Sequence, residues 1–215
     1  MTTHDFTPIR DALADLQEEQ VLELVRQAIE GGASALELLK TCQEGMNEVG
    51  ARFERQEYFV SDLMMSGEIF KQIGVLLEPG LRAGSVATIG KVIIGTVQGD
   101  IHDIGKDIVV NMLKAANMEV IDLGVDVAPA RFVEALKESG GTILGMSGLL
   151  TLAFDSMKAT ITALAEAGVR DGVKVMVGGG PVDGNVCRIV GADDWGRDAQ
   201  QAVRLAKKWL ETQHA

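Results

Sequence analysis

The spacing of apolar residues changes partway along the chain. In the first part, apolar side chains recur at helical spacing, as in Val21, Leu22, Val25 and Ile29, and again from Leu36 to Phe53. This spacing is typical of helices that bury one face. Further on, the apolar residues form short continuous runs that alternate with helix-length segments. The sequence therefore predicts a helical N-terminal part and an α/β C-terminal part.

Residues 1–80 are predicted to form a small antiparallel bundle of four helices joined by short connections. Ser34, followed three residues later by Glu37, has the pattern of a capping box at the start of the third helix. The fourth helix is predicted to run from Phe59 to about Glu78 and to stop at Pro79-Gly80. We interpret these residues as a separate domain.

Residues 81–90 are rich in glycine and small side chains and are predicted to form a linker before a second domain at 91–215. The second domain has strand-like apolar runs at 91–97, 119–124, 142–148 and 173–178, with a weaker one near 190–195. Helix-length segments lie at roughly 104–117, 129–139, 154–168 and 198–212. This alternation predicts a five-stranded parallel α/β sheet, Rossmann-like in class, of the flavodoxin-like order 2-1-3-4-5.

Composition narrows the classes of function. The formal net charge of −11 argues against a nucleic-acid partner, because phosphate binding needs clustered lysine and arginine. There is no signal-peptide pattern and no apolar run near the ~20 residues that cross a bilayer. Cys42 and Cys187 are far apart, which gives no indication of a disulfide framework or a thiolate metal site. We expect a cytoplasmic protein without a membrane partner.

Chemistry-bearing residues follow three of the predicted strands. In the order 2-1-3-4-5, strands 1, 3 and 4 are neighbours, so the loops at their carboxyl ends meet along one edge of the sheet, where α/β proteins bind ligands. His4 and His214 lie at the chain ends, which leaves His102 as the candidate for histidine chemistry. The loops bring together Gly99, Asp100, His102, Gly105, Ser147, Thr151 and the run Gly178-Gly-Gly-Pro181.

Several familiar motifs fit this edge only in part. The segment from Gly99 to Lys106 resembles a phosphate-binding loop, but five residues separate its glycines where four are needed. The segment around Ser147 resembles a nucleophile elbow, yet Leu149 occupies the position of the last glycine. A response regulator would need an acidic cluster at the end of the first strand, and residues 91–98 contain no acidic residue. A hydrolase built on Ser147, His102 and Asp100 remains open on spacing alone.

The metal chemistry of the edge is more informative. A site made wholly of protein side chains needs several nitrogen or sulfur ligands, and His102 is the one interior histidine. A metal on His102 would therefore need a ligand that brings its own donors, such as a macrocycle. Asp100 is two residues away, well placed to accept a hydrogen bond from the other ring nitrogen and to raise the basicity of the imidazole.

These residues resemble a known family. Asp100-Ile-His102-Asp-Ile-Gly105, then Ser147-Gly-Leu149, then Gly179-Gly180 match the DxHxxG, SxL and GG motifs of cobalamin-binding domains. The helical segment is in turn similar to the cap domain of methionine synthase-like proteins and short methyltransferase corrinoid proteins. The resemblance covers nearly the whole chain.

The resemblance implies a cobalamin bound base-off and His-on, with His102 as the lower axial ligand of cobalt and Asp100 as its partner. It implies that the displaced nucleotide tail runs between the loops and that the helical cap covers the methyl-bearing face. One departure concerns a His-Asp-Ser relay of methionine synthase-like members, because Ala153 occupies the position of its serine. The cofactor contacts implied are Gly99, Asp100, Ile101, His102, Asp103, Gly105, Ser147, Leu149, Thr151, Gly179, Gly180, Ala199, and, over the methyl group, Phe59 and Ile69.

The function that the resemblance implies is that of a corrinoid methyl carrier, not an enzyme by itself. Such a carrier accepts a methyl group on Co(I) cobalamin from a substrate-specific methyltransferase. It passes the group to an acceptor such as tetrahydrofolate through a second methyltransferase, and a reductive activator rescues Co(II). Methoxylated aromatics, methylamines, methanol and betaines remain open as donors. A mutase subunit is the alternative function within this family. A cobalamin-sensing regulator would need a DNA-binding domain, and the acidic net charge disfavours one.

Overall fold

The computed structural model describes residues 5–83 and 88–213. His4 and His214 lie outside the described residues. The chain divides into two compact units, Met1–Ala87 and Thr88–Ala215, and each is described by itself below. Among the described residues, no helix is both long and apolar enough to cross a membrane.

The first unit contains the four predicted helices. Their bounds are α1 Thr7–Ala14, α2 Glu18–Glu30, α3 Ala35–Glu54 and α4 Val60–Ala83. Helix α3 packs against both α1 and α4, and α1 also packs against α2. The fully buried side chains at the centre of this unit include Leu13, Val21, Val25, Leu38, Cys42, Val49, Ile69 and Ile73. The helical periodicity read from the sequence thus corresponds to one buried face on each helix.

A polar cluster ties the end of α3 to the end of α1. The guanidinium of Arg52 donates hydrogen bonds to the carbonyl oxygen of Ala14 at 2.9 Å, to Asp15 at 2.7 Å and to the hydroxyl of Tyr58 at 2.9 Å. The Tyr58 hydroxyl donates in turn to the same Ala14 oxygen at 2.7 Å. One arginine and one tyrosine therefore satisfy a carbonyl that the end of a short helix leaves without an intrahelical donor.

Two predictions about this unit are wrong. Helix α4 does not stop at Pro79-Gly80 but continues to Ala83 with Pro79 inside it. Proline removes one helical hydrogen bond without always ending a helix. Residues 81–83 of the predicted linker are therefore helical, and residues 84–87 lie outside the described part of the chain. Ser34 does lie at the start of α3, but its side chain makes no capping hydrogen bond, so the predicted capping box is absent.

The second unit is a parallel α/β sheet in the predicted strand order β2-β1-β3-β4-β5. Helices cover the sheet, and α5 and α9 pack against each other. A single turn of 3₁₀ helix, Arg170–Gly172, precedes β4. The elements are β1 Lys91–Thr96, α5 Ile104–Ala115, β2 Glu119–Asp122, α6 Pro129–Ser139, β3 Ile143–Ser147, α7 Ala153–Glu166, β4 Lys174–Gly178, α8 Gly184–Val190, β5 Asp194–Gly196 and α9 Ala199–Gln213.

Helix α8 is an element that the sequence pattern missed. The apolar residues near 190–195 were assigned to a strand, whereas the helix continues to Val190 and β5 begins only at Asp194. Asp183 caps α8 by accepting hydrogen bonds from the amides of Asn185 and Val186 at 2.8 and 2.9 Å. An aspartate shortly after a run of glycines and a proline is a signal for a helix start, and this signal would have located the helix.

The two cysteines are free and buried, one in each unit. Burial raises the pKa of the Cys42 thiol to about 12 and also raises the pKa of Cys187. A raised pKa keeps both side chains in the neutral thiol form, and thiolate is the form that binds metals. Both residues therefore act as core side chains.

A buried ion pair holds α5 against the sheet. The side chain of Lys106 is 2% exposed, and its ammonium donates to Asp122 at the end of β2 and to Asp107, each at 2.6 Å. Burial by itself lowers the pKa of the Lys106 ammonium, but its hydrogen bonds to Asp107 and Asp122 outweigh this effect and the pKa is raised. The lysine thus stays charged and fixes the start of α5 directly after the loop that carries His102.

We predict that Asp122→Asn lowers the free energy of unfolding by about 1–3 kcal/mol, because the substitution leaves a buried ammonium with one carboxylate. Asparagine keeps the oxygen that accepts the Gly124 amide. The matched control is Glu134→Gln, which removes an exposed ion pair to Arg131 and should change stability by less than about 0.5 kcal/mol. Urea unfolding followed by circular dichroism measures both, and equal changes in the two variants would contradict the prediction.

Candidate functional site

The loop after β1 is folded back on itself so that His102 projects from the carboxyl end of the sheet. The amide of Asp100 donates to the carbonyl oxygen of Val97 at 3.1 Å, and Gly99 takes a left-handed backbone with φ of +83°. The buried hydroxyl of Thr96, the last residue of β1, donates to the carbonyl oxygen of His102 at 3.0 Å. A buried strand end therefore fixes the backbone of the histidine directly.

The carboxylate of Asp100 joins two loops. Its side chain is fully buried, and one oxygen accepts the amide of His102 at 3.0 Å and faces the ring Nδ1 of His102 at 2.7 Å. The other oxygen accepts the amides of Leu149 at 2.6 Å and Leu150 at 2.9 Å, from the loop after β3. The predicted meeting of the first and third strand loops is present, and it is made by this carboxylate.

This network settles the charge of Asp100. Burial by itself raises the pKa of a carboxyl group, but the hydrogen bonds from Leu150, His102 and Leu149 outweigh it and hold the pKa of Asp100 well below its usual range. An ionised carboxylate is an acceptor only, so the facing Nδ1 of a neutral His102 carries the proton. The ring Nε2 is then left with a free lone pair, and the half-exposed imidazole offers it for ligation.

Ala153, which occupies the position of the relay serine, leaves no oxygen of Asp100 without a hydrogen-bond donor. Ala153 is 2% exposed and begins α7, whose apolar packing includes Met157. The oxygen of Asp100 that a relay serine would bond is already held by the amides of Leu149 and Leu150. Thr151, the nearest hydroxyl in the sequence, is exposed. Two backbone amides thus anchor Asp100 in a chain that lacks the relay serine.

The hydrolase arrangement is not formed. Within the described residues, the His102 ring hydrogen-bonds to Asp100 and no hydrogen bond joins it to Ser147. Ser147 is the last residue of β3, and its backbone pairs with β1 and β4. A general base has to lie within hydrogen-bond reach of its nucleophile, and this geometry does not place His102 there.

Glycines form a side wall of the edge at the ends of β3 and β4. The amide of Gly148 donates to the carbonyl oxygen of Gly178 at 3.1 Å. Gly179 has a φ of +134°, and a Cβ added to it would lie 2.0 Å from the carbonyl oxygen of Gly148. A Cβ on Gly178 would lie 3.2 Å from the carbonyl oxygen of Gly196. Glycine is therefore required at 179, because the loops after β3 and β4 approach too closely to leave room for a Cβ there.

Exposed apolar side chains form a rim around His102. Ile101 is 73% exposed and Leu149 is 45% exposed, so both predicted contacts have surface available to a ligand. The sequence pattern missed three further members of this rim, Ile104, Leu150 and Leu152, which are also exposed. Their signal was available, because each is an apolar residue within three positions of a predicted loop contact. Large exposed apolar groups that lie together indicate a surface that is covered in the working protein.

The structure separates the remaining predicted contacts. Gly105 lies in the first turn of α5 with open space around its Cα, and Asp103 directly precedes that helix. Ala199 is buried at the start of α9. In the first unit, Phe59 is 71% exposed, whereas Ile69 is fully buried in that unit's core. Phe59 thus has an exposed side chain for the contact predicted for it. The contact predicted for Ile69 stays a prediction, and in the described unit this side chain has no exposed surface.

The donor set fits a metal that arrives with its own ligands. Among the described residues, no group of three or more histidine, cysteine or carboxylate side chains could hold a metal ion by themselves. The site has instead one oriented imidazole, an apolar rim and a glycine wall. This combination defines an α/β protein that binds a large cofactor at the carboxyl edge of its sheet, with one histidine directed at it.

Comparison with known proteins identifies the family. Residues 90–204 match a B12 binding domain, and residues 6–77 match a second B12 binding domain. The chain belongs to the B12-binding family, and its cofactor is a cobalamin or related corrinoid. Both compact units are covered by these matches, so the family assignment extends over the helical part as well as the sheet.

Relatives cover nearly the whole chain. It is 39% identical over 202 residues to dimethylamine corrinoid protein 3 of Methanosarcina acetivorans, covering 94% of this chain and 95% of that one. The structure is similar to a cobalamin-binding protein from Desulfitobacterium hafniense DCB-2, with a TM-score of 0.81, 41% identity, and coverage of 96% and 99%. It is also similar to the methanol:cobalamin methyltransferase complex MtaBC from Methanosarcina barkeri, with a TM-score of 0.82, 27% identity, and coverage of 95% and 78%.

We predict that Gly179→Ala destabilises the protein by about 2–4 kcal/mol, because its Cβ would overlap the Gly148 carbonyl and its backbone is left-handed. The matched control is Gly180→Ala, whose Cβ would lie 3.1 Å from the flexible end of Leu149. This substitution should lower the free energy of unfolding by about 1 kcal/mol or less. Thermal and urea unfolding of the cofactor-free variants measure both. A Gly179→Ala protein as stable as Gly180→Ala would contradict the close approach.

Proposed function

We propose that this protein is the corrinoid methyl carrier of a multicomponent methyltransferase system. The observation that carries the proposal is the His102–Asp100 pair, in which a buried carboxylate leaves one ring nitrogen of an exposed imidazole free for ligation. The corrinoid supplies a cobalt centre that takes up and gives away a methyl group. The chain itself supplies no second substrate site that we can identify among the described residues, so the reaction partners are other proteins.

The residues around the edge suit a cobalamin bound base-off and His-on. His102 presents Nε2 as the lower axial ligand, and Asp100 fixes the tautomer and the ring orientation and raises the basicity of the imidazole. Gly179 and Gly180 present backbone without side chains close to Ser147, where the nucleotide tail would run in this proposal. The exposed rim around Leu149 provides an apolar support for the corrin ring.

The names of the relatives support the carrier role. Relatives are called dimethylamine and trimethylamine corrinoid proteins, and one similar structure belongs to a methanol:cobalamin methyltransferase complex. For this chain we propose three partners: a substrate-specific methyltransferase, a methyltransferase that delivers the methyl group to an acceptor such as tetrahydrofolate, and a reductive activator of Co(II). A methylamine is the donor that the relatives at 38–39% identity favour.

We further propose that residues 1–80 act as a cap for the cofactor. The exposed side chain of Phe59 is the candidate contact of the cap with the methyl group. A mutase subunit, the alternative within this family, has no need of a methyl-covering cap, so the helical unit favours the carrier.

We predict that the protein binds hydroxocobalamin with the absorption spectrum of a histidine-ligated, base-off form, and that His102→Ala loses this spectrum. Asp100→Ala should weaken cobalamin binding by about 10- to 100-fold, the usual effect of removing the partner of a metal-bound histidine. Visible absorption during titration with hydroxocobalamin measures both. A His102→Ala protein with the wild-type spectrum would exclude His102 as the lower ligand.

The control for this titration is the double variant His4→Ala/His214→Ala, which removes the other two histidines and should keep the wild-type spectrum. Ser147→Ala tests the hydrolase alternative. A hydrolase would show esterase activity without any corrinoid, and this activity would be lost in Ser147→Ala. The carrier predicts no such activity in either protein.

We predict that the reduced, cobalamin-loaded protein is methylated by dimethylamine or trimethylamine only when its cognate methyltransferase is present. The physical reason is that the chain lacks an identified substrate pocket of its own in the described residues. The experiment isolates the methyltransferase that co-purifies with the protein and follows the cobalamin spectrum with each amine, with methanol and with a methoxylated aromatic compound. Methylation at the same rate without the methyltransferase would contradict the carrier role.

A further inference from the structure

Asp126 has an unusual backbone for a non-glycine residue. It lies between β2 and α6 with a left-handed φ of +53°, a conformation that persists only when the surroundings compensate its cost. Two hydrogen bonds provide the compensation. The Asp126 amide donates to the carbonyl oxygen of Asp100 at 2.9 Å, and a carboxylate oxygen of Asp126 accepts the amide of Gly99 at 2.7 Å.

These two hydrogen bonds hold adjacent backbone groups of the His102 loop, one a donor and the other an acceptor. The donor is the amide of Gly99, and the acceptor is the carbonyl of the next residue, Asp100. Gly99 is itself left-handed, at +83°, so this part of the loop has an irregular backbone without the regular pairing of a strand. The direction in which the Asp100 side chain leaves the backbone is therefore set at the point where Asp126 binds.

The rest of the segment between β2 and α6 is held without the Asp126 side chain. The amide of Thr96 donates to the carbonyl oxygen of Gly124 at 2.9 Å, and the amide of Val127 donates to the carbonyl oxygen of Thr96 at 3.0 Å. Val127 is buried in the apolar core. The carboxylate of Asp126 is exposed and its bond goes to the His102 loop, which is why we expect its loss to affect that loop more than the fold.

We propose that Asp126 is a positioning residue for the cobalt ligand. It fixes the Gly99–Asp100 backbone so that the Asp100 carboxylate already orients the His102 imidazole before the cofactor arrives. The chain of contacts runs from Asp126 to Gly99 and Asp100 and then to His102. A preorganised ligand binds more tightly because less order has to be created on binding. The proposal rests on the proposed corrinoid function for its ligand and on the geometry of the loop for its mechanism.

Two substitutions separate the side-chain bond from the backbone conformation. Asp126→Gly keeps the left-handed backbone at no steric cost and removes the acceptor of the Gly99 amide. Asp126→Asn keeps an acceptor oxygen and is also tolerated in the left-handed region. Both variants should therefore fold, and urea unfolding of each should give a midpoint close to that of the wild type.

The first measurement uses the cofactor-free proteins. Amide hydrogen exchange followed by nuclear magnetic resonance should show the Gly99 amide exchanging about tenfold faster in Asp126→Gly than in the wild type, because an amide without its acceptor is less protected. The Asp126→Asn protein should stay within about threefold of the wild type. The second measurement is the hydroxocobalamin titration, in which Asp126→Gly should bind about tenfold more weakly and with a smaller histidine-ligated fraction, and Asp126→Asn should restore both.

The outcomes decide the two proposals separately. Wild-type exchange and wild-type ligation in Asp126→Gly would overturn the positioning role, and so would an equal loss in Asp126→Asn, since that result would implicate the negative charge rather than the hydrogen bond. A wild-type protein that shows no histidine-ligated spectrum would overturn the carrier function instead. The exchange of Gly99 in the cofactor-free variants would still determine whether Asp126 orders the loop.

Discussion

A buried negative charge is the constraint on which the cofactor edge depends. The Asp100 carboxylate has no exposed surface, and an anion in that position is tolerable only when donors surround it. The donors come from the His102 backbone and ring on one side and from the Leu149 and Leu150 amides on the other. The loop after β1 and the loop after β3 therefore have to meet for the charge to be satisfied. The hydrogen bonds that satisfy the buried carboxylate also orient the imidazole, so the edge cannot fold without orienting His102.

Much of this architecture could be predicted from the sequence, because periodicity and strand order are properties of local pattern and topology. The four helices, the parallel order and the convergence on His102 are confirmed. Two of the differences between prediction and structure concern backbone groups, whose hydrogen bonds cannot be read from the identity of the side chains. The amides that bond Asp100 belong to two leucines, and the helix that continues through Pro79 tolerates a missing hydrogen bond. Ile69 lies in the core of its unit, as an apolar residue on an amphipathic helix usually does, and the cofactor contact predicted for it stays a prediction.

The two units of the chain differ in how they use exposed apolar surface. In the sheet unit, Ile101, Ile104 and Leu152 surround the one oriented histidine and are exposed next to a buried carboxylate. In the helical unit, Phe59, Val60, Met64 and Met65 are exposed near the start of α4, while Leu63, Ile69, Ile73 and Leu77 of the same helix are in the core. Large apolar groups on two independent surfaces are expensive to leave in water. In the function that we propose, the corrinoid covers the rim around His102.

The anchoring of Asp100 by backbone amides has a consequence for how this segment can evolve. A serine hydroxyl that holds a carboxylate is lost with a single substitution, whereas an amide of Leu149 or Leu150 is present whatever the side chain is. Only proline lacks it. The side chains of Leu149 and Leu150 can therefore change without removing the donors that hold Asp100. The alanine at 153 removes none of these donors.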